Sequence, residues 1–283
     1  MKKGIALVTG ASAGIGAETA RRLAAAGFTT YAAARRVDKM DNLTALGIKV
    51  LPLDITDTGS IAACLAAIRS ESGDIDVLVN NAGYGSYGAV EEVPMAEARR
   101  QFEVNLFGLA ALTQQVIAPM RRKRWGRIIN ISSTGGVAAT PYGAWYYSSK
   151  FALEGYSAAL RQELAPFGVD VSVIRPSGTK SEWGAIATQS LLANSAHGPY
   201  AEAVKPMVAL FDKSAALEGN SALQIPASVI ADMIVKAALA KRANSAYNAP
   251  GAGKISIFLR WLLSDRLHDA MVRTAFGMPK SMA

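Results

Sequence analysis

A tyrosine stands four residues before a lysine in the pentapeptide YYSSK, residues 146–150. In a helix these two positions share a face, so Tyr146 and Lys150 would lie side by side. A phenol in a model peptide has a pKa of about 10, too high for easy proton exchange at neutral pH. A neighbouring ammonium stabilises the phenolate and can lower that pKa by about one to three units. Such a tyrosine would be a usable acid/base, but the spacing alone is weak evidence because most such strings are ordinary surface helix.

Polar side chains that could assist this tyrosine occur earlier in the chain. Ser133 lies thirteen residues before Tyr146, in INISSTGG at the end of an apolar run. Ligands of open parallel sheets bind at the carboxyl ends of the strands, so this hydroxyl could hold a substrate carbonyl oxygen. Asn105, in FEVNLFG, falls inside a predicted helix. It is either a solvent-facing or locally bonded asparagine, or a buried one that feeds a chain of waters to Lys150.

The glycine-rich segment TGASAGIG, residues 9–16, follows the first predicted strand and opens the first helix. Gly10 permits a tight turn, Gly14 lets backbone approach a ligand, and Gly16 lets helix and strand pack closely. The free N–H groups and the helix dipole favour a phosphate. The strand–turn–helix context therefore predicts a dinucleotide site. Its spacing, G-x-x-x-G-x-G, differs from the ordinary G-x-G-x-x-G fingerprint.

The end of the second predicted strand, YAAARR, indicates which dinucleotide binds. An NAD site usually has an acidic residue here to hold the ribose 2′-OH. This strand has Arg35 and Arg36 instead. An arginine fork suits a 2′-phosphate, which a carboxylate would repel. The residues therefore favour NADP(H), with NAD(H) still possible, unless both arginines are merely solvated loop residues.

Apolar strands that alternate with helices must position these groups. Such strands predict an α/β fold with a doubly wound parallel sheet, covered on both faces. Six strands are predicted, in GIALVTG, FTTYAAARR, IKVLPLDI, IDVLVNNAG, GRIINISS and VDVSVIRP, and SAYNAPGAGK predicts a last short one. We interpret residues 1–283 as one domain with a C-terminal helical substrate cap. The cap comprises a lid at about 178–225 and an amphipathic tail at about 255–276.

The composition excludes several classes of protein. A single cysteine, Cys64, excludes an internal disulfide, and no stretch approaches the roughly 18 apolar residues of a membrane span. The N-terminal apolar run is too short for a secretory signal, so we expect a cytoplasmic protein. The net charge of +8 permits acidic partners. The sequence lacks the basic stripe with interleaved aromatic residues that would predict nucleic-acid binding. Because His197 and His268 lack ligand spacing, no metal site is expected.

Six motifs occur in one order and spacing: TGASAGIG, NNAG, VN, ISS, YYSSK and RPSG. Together they resemble the short-chain dehydrogenases/reductases, in their ordinary single-domain branch, over residues 3 to about 180. The segment RPSGTKSEWG is similar to the branch with 17β-hydroxysteroid-dehydrogenase-like and retinol-dehydrogenase-like members. The resemblance implies a Rossmann-like three-layer αβα fold. It also implies a homodimer or homotetramer, built on the helix that carries Tyr146.

The resemblance implies roles for individual residues. Tyr146 would be the catalytic acid/base, Lys150 would lower its pKa, and Ser133 would orient the substrate oxygen. Asn105 would complete a tetrad. The cofactor would be held by Tyr146 and Lys150 together with Gly10, Ser12, Gly14, Ile15, Gly16, Arg35, Asp54, Ile55, Asn81 and Thr179. Ser181 is an alternative to Thr179. Ala13 stands where NADP-preferring members often have a basic residue, which weakens the NADP(H) prediction without reversing it.

The expected reaction is hydride transfer between NADP(H) and an alcohol/carbonyl pair, with a small-molecule substrate and no metal. Apolar side chains in the lid favour a steroid-, retinoid- or aromatic-ketone-like substrate, unless they only pack against the sheet. Two alternatives remain open: a non-catalytic NADP-binding regulator, and a dehydratase or epimerase on the same fold. The intact Ser133, Tyr146 and Lys150 argue against the regulator.

Overall fold

Seven strands form one sheet in the computed structural model, which describes residues 3–179, 182–216 and 225–278. They are Ile5–Thr9 (β1), Thr29–Ala34 (β2), Lys49–Pro52 (β3), Val77–Asn80 (β4), Gly126–Ile131 (β5), Val169–Arg175 (β6) and Ala246–Asn248 (β7). The order is β3-β2-β1-β4-β5-β6-β7, and every pairing is parallel. The strand order reverses between β1 and β4, which opens a crevice at the carboxyl ends of these strands. The predicted doubly wound sheet is confirmed.

Eleven α-helices are present in the described residues. They are Gly14–Ala25 (α1), Asp41–Thr44 (α2), Thr58–Glu71 (α3), Met95–Phe102 (α4), Gly108–Lys123 (α5), Ala144–Leu164 (α6), Glu182–Ser195 (α7), Ala201–Ala216 (α8), Ala227–Leu239 (α9), Ala252–Leu262 (α10) and Asp265–Ala275 (α11). Short 3₁₀ turns lie at Val37–Met40, Thr134–Gly136 and Ala165–Phe167. None of these helices is both long and apolar enough to cross a bilayer.

Local chemistry sets several helix ends. The Asp57 carboxylate accepts hydrogen bonds from the backbone N–H groups of Gly59 and Ser60 and so caps α3. Gly27 follows α1 with a φ of +96°, a conformation that glycine adopts at little cost.

Two apolar clusters cover the sheet, one on each face, and a third lies between α6 and the lid helices α7 and α8. On one face α1 and α9 contribute side chains such as Leu23 and Ile234. On the other, α3, α5 and α6 contribute residues that include Leu65, Leu112 and Leu160. Strands covered on both faces must be apolar along their whole length, which accounts for their near-continuous hydrophobic sequence.

The predicted helix that contains Asn105 was wrong in detail, because a π turn at Glu103–Phe107 interrupts it between α4 and α5. The C-terminal tail is two helices, because Leu263 has an extended conformation. The lid segment, where helices were hard to place from sequence, contains α7 and α8. Ser181 lies outside the described residues.

Candidate active site

The phenol of Tyr146 and the hydroxyl of Ser133 meet at the carboxyl end of β5. Tyr146 lies in the first turn of α6, and Ser133 is the second residue after β5. The Ser133 hydroxyl is near enough to the Tyr146 phenol to stabilise the phenolate and oppose the rise in its pKa. It accepts a 3.0 Å hydrogen bond from the Gly135 N–H. This bond orients the serine, so two hydroxyl groups are available to one substrate oxygen.

Lys150 lies beside this pair, one helical turn along α6. Its Nζ is 6.0 Å from the centroid of the Tyr146 ring and donates a 2.8 Å hydrogen bond to the carbonyl of Ile131. Both side chains are almost fully buried, with 6% of Tyr146 and 7% of Lys150 exposed. The side-by-side placement agrees with the helical spacing.

Burial dominates the electrostatics of the pair. It lowers the pKa of Lys150 to about 8, and the charge of Glu154, one turn further along α6, opposes this shift. Burial also raises the pKa of Tyr146, against the opposing effect of the Ser133 hydroxyl. The sequence predicted that Lys150 lowers the pKa of Tyr146. In this structure the cost of desolvating the phenolate is larger, so the direction is opposite.

Asn105 lies in the π turn between α4 and α5 and is only 1% exposed. Its amide nitrogen donates 3.0 Å hydrogen bonds to the Tyr84 carbonyl and to the Ser149 hydroxyl. Its oxygen accepts from the Tyr84 N–H. The Ser149 hydroxyl donates in turn to the backbone carbonyl of Tyr146. The solvent-facing alternative is therefore wrong, and Asn105 is linked to the Tyr146 helix through Ser149.

The glycine-rich turn packs as its spacing predicts. Gly10 and Gly14 have φ values of +63° and +54°. A Cβ added at Gly16 would lie 2.5 Å from both the Gly10 carbonyl oxygen and the Asn81 amide nitrogen. Ala13, which precedes α1, makes no side-chain capping bond, so the first N–H groups of α1 remain available to an anion.

Two residues expected to contact the cofactor also have structural partners. The Asn81 amide donates hydrogen bonds of 2.9 Å to the Thr9 carbonyl and 3.1 Å to the Gly10 carbonyl. Asn81 therefore holds the turn in place. Ile15 packs against the core cluster under α1 and α9.

Arg35 and Arg36 are exposed at the end of β2, beside the glycine-rich turn. Arg36 donates a 3.1 Å hydrogen bond to the Ser12 hydroxyl. Hydrogen bonds from Thr56 lower the pKa of Asp54, and the charge of Arg35 adds to this effect. One carboxylate and two guanidinium groups thus lie at this end of the crevice.

The remaining predicted cofactor residues lie at the ends of β3 and β6. Ile55 is buried, and its carbonyl lies against Gly108 at the start of α5, where a Cβ would come within 2.2 Å. The Thr179 hydroxyl donates a 3.0 Å hydrogen bond to the Ser177 carbonyl. A parallel bridge pairs Thr179 with Ile225.

Aromatic rings from α7, α8 and the loop after β4 cover Tyr146. The ring centroid of Trp183 is 5.3 Å from that of Tyr146, and the ring of Tyr87 is 5.9 Å away. Phe211 of α8 packs on Tyr87 at 5.4 Å. Tyr147, next in sequence to Tyr146, accepts a hydrogen bond from the Tyr87 hydroxyl and serves the structure of this cluster.

No group of three or more His, Cys, Asp or Glu side chains in the described residues is arranged to hold a metal ion.

A family model described as short chain dehydrogenase matches residues 4–191. The chain belongs to the short-chain dehydrogenase family.

Two curated relatives of this short-chain dehydrogenase are named for ketone reduction. The 3-ketodihydrosphingosine reductase of Bacteroides thetaiotaomicron is 41% identical over 62% of this chain. That match spans 64% of the relative, less than two thirds of its length. The NADPH-dependent 3-dehydrocapnine reductase of Ornithobacterium rhinotracheale is 31% identical over 93% of this chain and 94% of the relative.

Solved structures agree with the family assignment. A short-chain dehydrogenase from Streptomyces avermitilis has a TM-score of 0.81 and 30% identity, and the match covers 98% of this chain and 97% of that one. A variant of actinorhodin polyketide ketoreductase, solved with NADPH, has a TM-score of 0.73 and 29% identity. That match covers 89% of this chain and 98% of the ketoreductase.

The sequence analysis of this short-chain dehydrogenase missed three residues of the site. Ser149 links Asn105 to the Tyr146 backbone, and a serine beside Lys150 inside a helix was a usable signal. Tyr87 packs on Tyr146 from the loop after β4, without a sequence pattern that predicts it. Tyr142 has a φ of +63°, and its buried hydroxyl has no hydrogen-bond partner. Positive φ at a tyrosine is strained and is often found near functional sites.

Proposed function

We propose that this chain is an NADP(H)-dependent oxidoreductase that interconverts an alcohol and its ketone or aldehyde, with Tyr146 as the acid/base. The observation that carries the proposal is the closeness of the Ser133 hydroxyl to the Tyr146 phenol, with Lys150 buried beside them. This arrangement places a proton donor and a second hydroxyl at one point of the crevice. Geometry of this kind suits proton transfer to a substrate oxygen that is held in place.

The crevice fits a dinucleotide. Gly10 and Gly16 have no space for a side chain, so the turn stays tight and its backbone N–H groups can approach a pyrophosphate. Arg35 and Arg36 would hold the 2′-phosphate of NADP(H), and the neighbouring ketoreductase solved with NADPH supports this choice. Asp54 and Ile55 would lie toward the adenine, and Thr179 toward the nicotinamide. When bound, NADP(H) supplies or accepts the hydride.

The residues of the chain supply the proton and the positioning. Burial raises the pKa of Tyr146, so the phenol is protonated at neutral pH and can donate to a carbonyl oxygen. Ser133 would hold that oxygen through a hydrogen bond. Lys150, whose ammonium lies on the same helix face, would stabilise the phenolate left behind. The protonated phenol is the form that reduction requires, and both relatives are named as reductases.

The substrate we propose is an apolar ketone, of steroid-like, retinoid-like or aromatic character. Support comes from the aromatic rings of Tyr87, Trp183 and Phe211, which line the wall nearest Tyr146. Because little of Tyr146 is exposed, α7 and α8 would have to move to admit a substrate of this size. We therefore assign them the role of a lid.

A dimer or tetramer that uses the helix carrying Tyr146 remains part of this proposal. Phe107, which precedes α5, and Phe151, on α6, are both exposed. Large apolar side chains on helix surfaces are suited to a subunit contact. Loss of the oligomer in Phe151→Ser, measured by light scattering, would support this contact.

Turnover of a panel of ketones with NADPH tests the catalytic proposal, followed by the absorbance of the reduced nicotinamide. Tyr146→Phe keeps the ring but removes the proton, and we expect a loss of roughly 10²–10⁴-fold in kcat. Tyr147→Phe, the matched change at the next residue, should keep most of the activity. Equal activity in Tyr146→Phe would overturn the assignment of the acid/base. NADPH binding without turnover of any ketone would instead favour the non-catalytic regulator.

A further inference from the structure

Helices α10 and α11 expose an unusual number of large apolar side chains. Five of the fifteen exposed large hydrophobic residues in the described chain lie between residues 255 and 267. They are Ile255, Phe258, Trp261, Leu262 and Leu267, which are between 54% and 79% exposed. We call these five residues the C-terminal apolar face. So dense a group of exposed apolar residues indicates an interaction surface rather than scattered surface hydrophobics.

The residues on α10 occupy one side of that helix. At 3.6 residues per turn, Ile255, Phe258, Trp261 and Leu262 fall within an arc of about 120°. The rings of Phe258 and Trp261 are 6.0 Å apart. Leu267 follows on α11, and an ion pair of 2.7 Å between Arg260 and Asp265 joins the two helices.

Both ends of this helix pair are attached to walls of the candidate active site. At the start of α10, a Cβ on Gly253 would lie 2.9 Å from the Ser177 side chain and 3.0 Å from that of Thr134, the residue after Ser133. Beyond α11, Phe276 and Met278 pack against the cluster that contains Tyr146. The apolar face therefore lies between two segments that contact walls of the candidate active site.

We propose that the C-terminal apolar face docks on an anionic lipid surface. The helix pair carries four basic residues, Lys254, Arg260, Arg266 and Arg273, against two acidic ones, Asp265 and Asp269. Tryptophan, phenylalanine and leucine on one side, with arginine and lysine around them, are typical of helices that lie in a membrane interface. The overall charge of +8 acts in the same direction.

The helices would lie on the membrane rather than cross it. α10 has eleven residues, whereas a transmembrane helix needs about 20. A second copy of the chain fits this face less well, because a two-fold contact would bring the same net positive charge together from both subunits. Docking does not depend on the proposed function. Only its purpose, the delivery of an apolar ketone to the lid from a lipid phase, rests on that function.

Vesicle co-sedimentation of the full chain tests the docking. The two probes are vesicles of phosphatidylcholine alone and of phosphatidylcholine mixed with phosphatidylglycerol. We expect binding to the anionic vesicles that weakens when salt is added. Trp261→Ser should reduce this binding by about tenfold or more. Leu262→Ser and Leu46→Ser form a matched pair, because these leucines are 58% and 57% exposed. Leu262→Ser should weaken binding, and Leu46→Ser should not.

Three results would overturn the docking: no sedimentation of the wild type with anionic vesicles, equal loss in Leu46→Ser, or a mass in solution that halves in Trp261→Ser. The last would assign the face to a second copy. Thermal unfolding of each variant confirms that it is folded. Turnover of a water-soluble ketone should be unchanged in Trp261→Ser. Vesicle binding without any ketone turnover would refute the proposed function and leave the docking intact.

Discussion

The indole ring of Trp183 lies 5.3 Å from the phenol ring of Tyr146, centroid to centroid, at an interplanar angle of 55°. Trp183 belongs to α7, while Tyr146 lies in the first turn of α6, so a helix of the cap contacts the proposed acid/base directly. If Tyr146 acts as proposed, this contact would give α7 influence over which substrates approach the phenol.

Trp183→Ala should therefore change substrate selection. Loss of the indole removes apolar contact area, so we expect KM for a bulky aromatic ketone to rise by about tenfold or more. KM for a small ketone should change much less. Steady-state kinetics with both substrates measures the difference. Ile186→Ala, at an exposed position on the same helix, is the control and should affect neither. An equal rise for both ketones would contradict a selective role for the indole.

Arg35→Ala and Arg36→Ala should each weaken NADPH binding. A hydrogen bond to a charged group contributes roughly 1.5–3 kcal/mol, so about a tenfold to hundredfold loss is expected. NADH lacks the 2′-phosphate, so its affinity should stay nearly constant. Titration followed by tryptophan fluorescence gives both affinities, with Arg69→Ala, an exposed arginine on α3, as the control. Equal weakening of NADH and NADPH would refute the recognition of the 2′-phosphate.

Gly16→Ala should destabilise the glycine-rich turn. Its Cβ would meet the Gly10 carbonyl and the Asn81 amide at 2.5 Å, so the turn must shift. We expect a loss of roughly 1–3 kcal/mol in the free energy of unfolding, together with weaker NADPH binding. The matched change is Gly155→Ala on α6, where no atom lies within 4 Å of the added carbon. That variant should gain about 0.5–1 kcal/mol in denaturant unfolding. Similar effects at both glycines would contradict the close packing at Gly16.

The lowered pKa of Lys150 predicts a pH-dependent stability. The folded chain loses this proton near pH 8, whereas the ordinary value of 10.5 applies to the unfolded chain. Between these values the unfolded state binds more protons, so the free energy of unfolding rises with pH. The wild type should therefore gain stability relative to Lys150→Met across this window, by on the order of a few kcal/mol.

Denaturant unfolding over a series of pH values measures this gain. Lys236→Met, at an exposed position on α9, controls for the loss of a lysine elsewhere. Other buried groups, such as Cys64 with a pKa raised to about 11, have the opposite effect but are common to both chains. A difference between wild type and Lys150→Met that does not vary with pH would show that Lys150 is not desolvated.

Short-range patterns in the sequence were sufficient to predict much of the fold and part of the candidate site. Helical periodicity placed Tyr146 beside Lys150, and runs of apolar residues predicted a parallel sheet. The glycine spacing at residues 9–16 predicted the turn between β1 and α1. Each of these depends on backbone geometry over a few residues, which the local sequence controls directly.

Properties that depend on distant segments could not be obtained in this way. The burial that raises the pKa of Tyr146 comes from rings in α7 and α8 and from Tyr87. The partners of Asn105 and Asn81 come from other elements, and the π turn at Glu103–Phe107 interrupts a helix that periodicity predicts as continuous. Desolvation and hydrogen bonding follow from which surfaces meet in space. Those contacts join residues far apart in sequence. Only the tertiary structure therefore determines the protonation of Tyr146 and Lys150, the aromatic rings that cover Tyr146, and the exposure of the C-terminal apolar face.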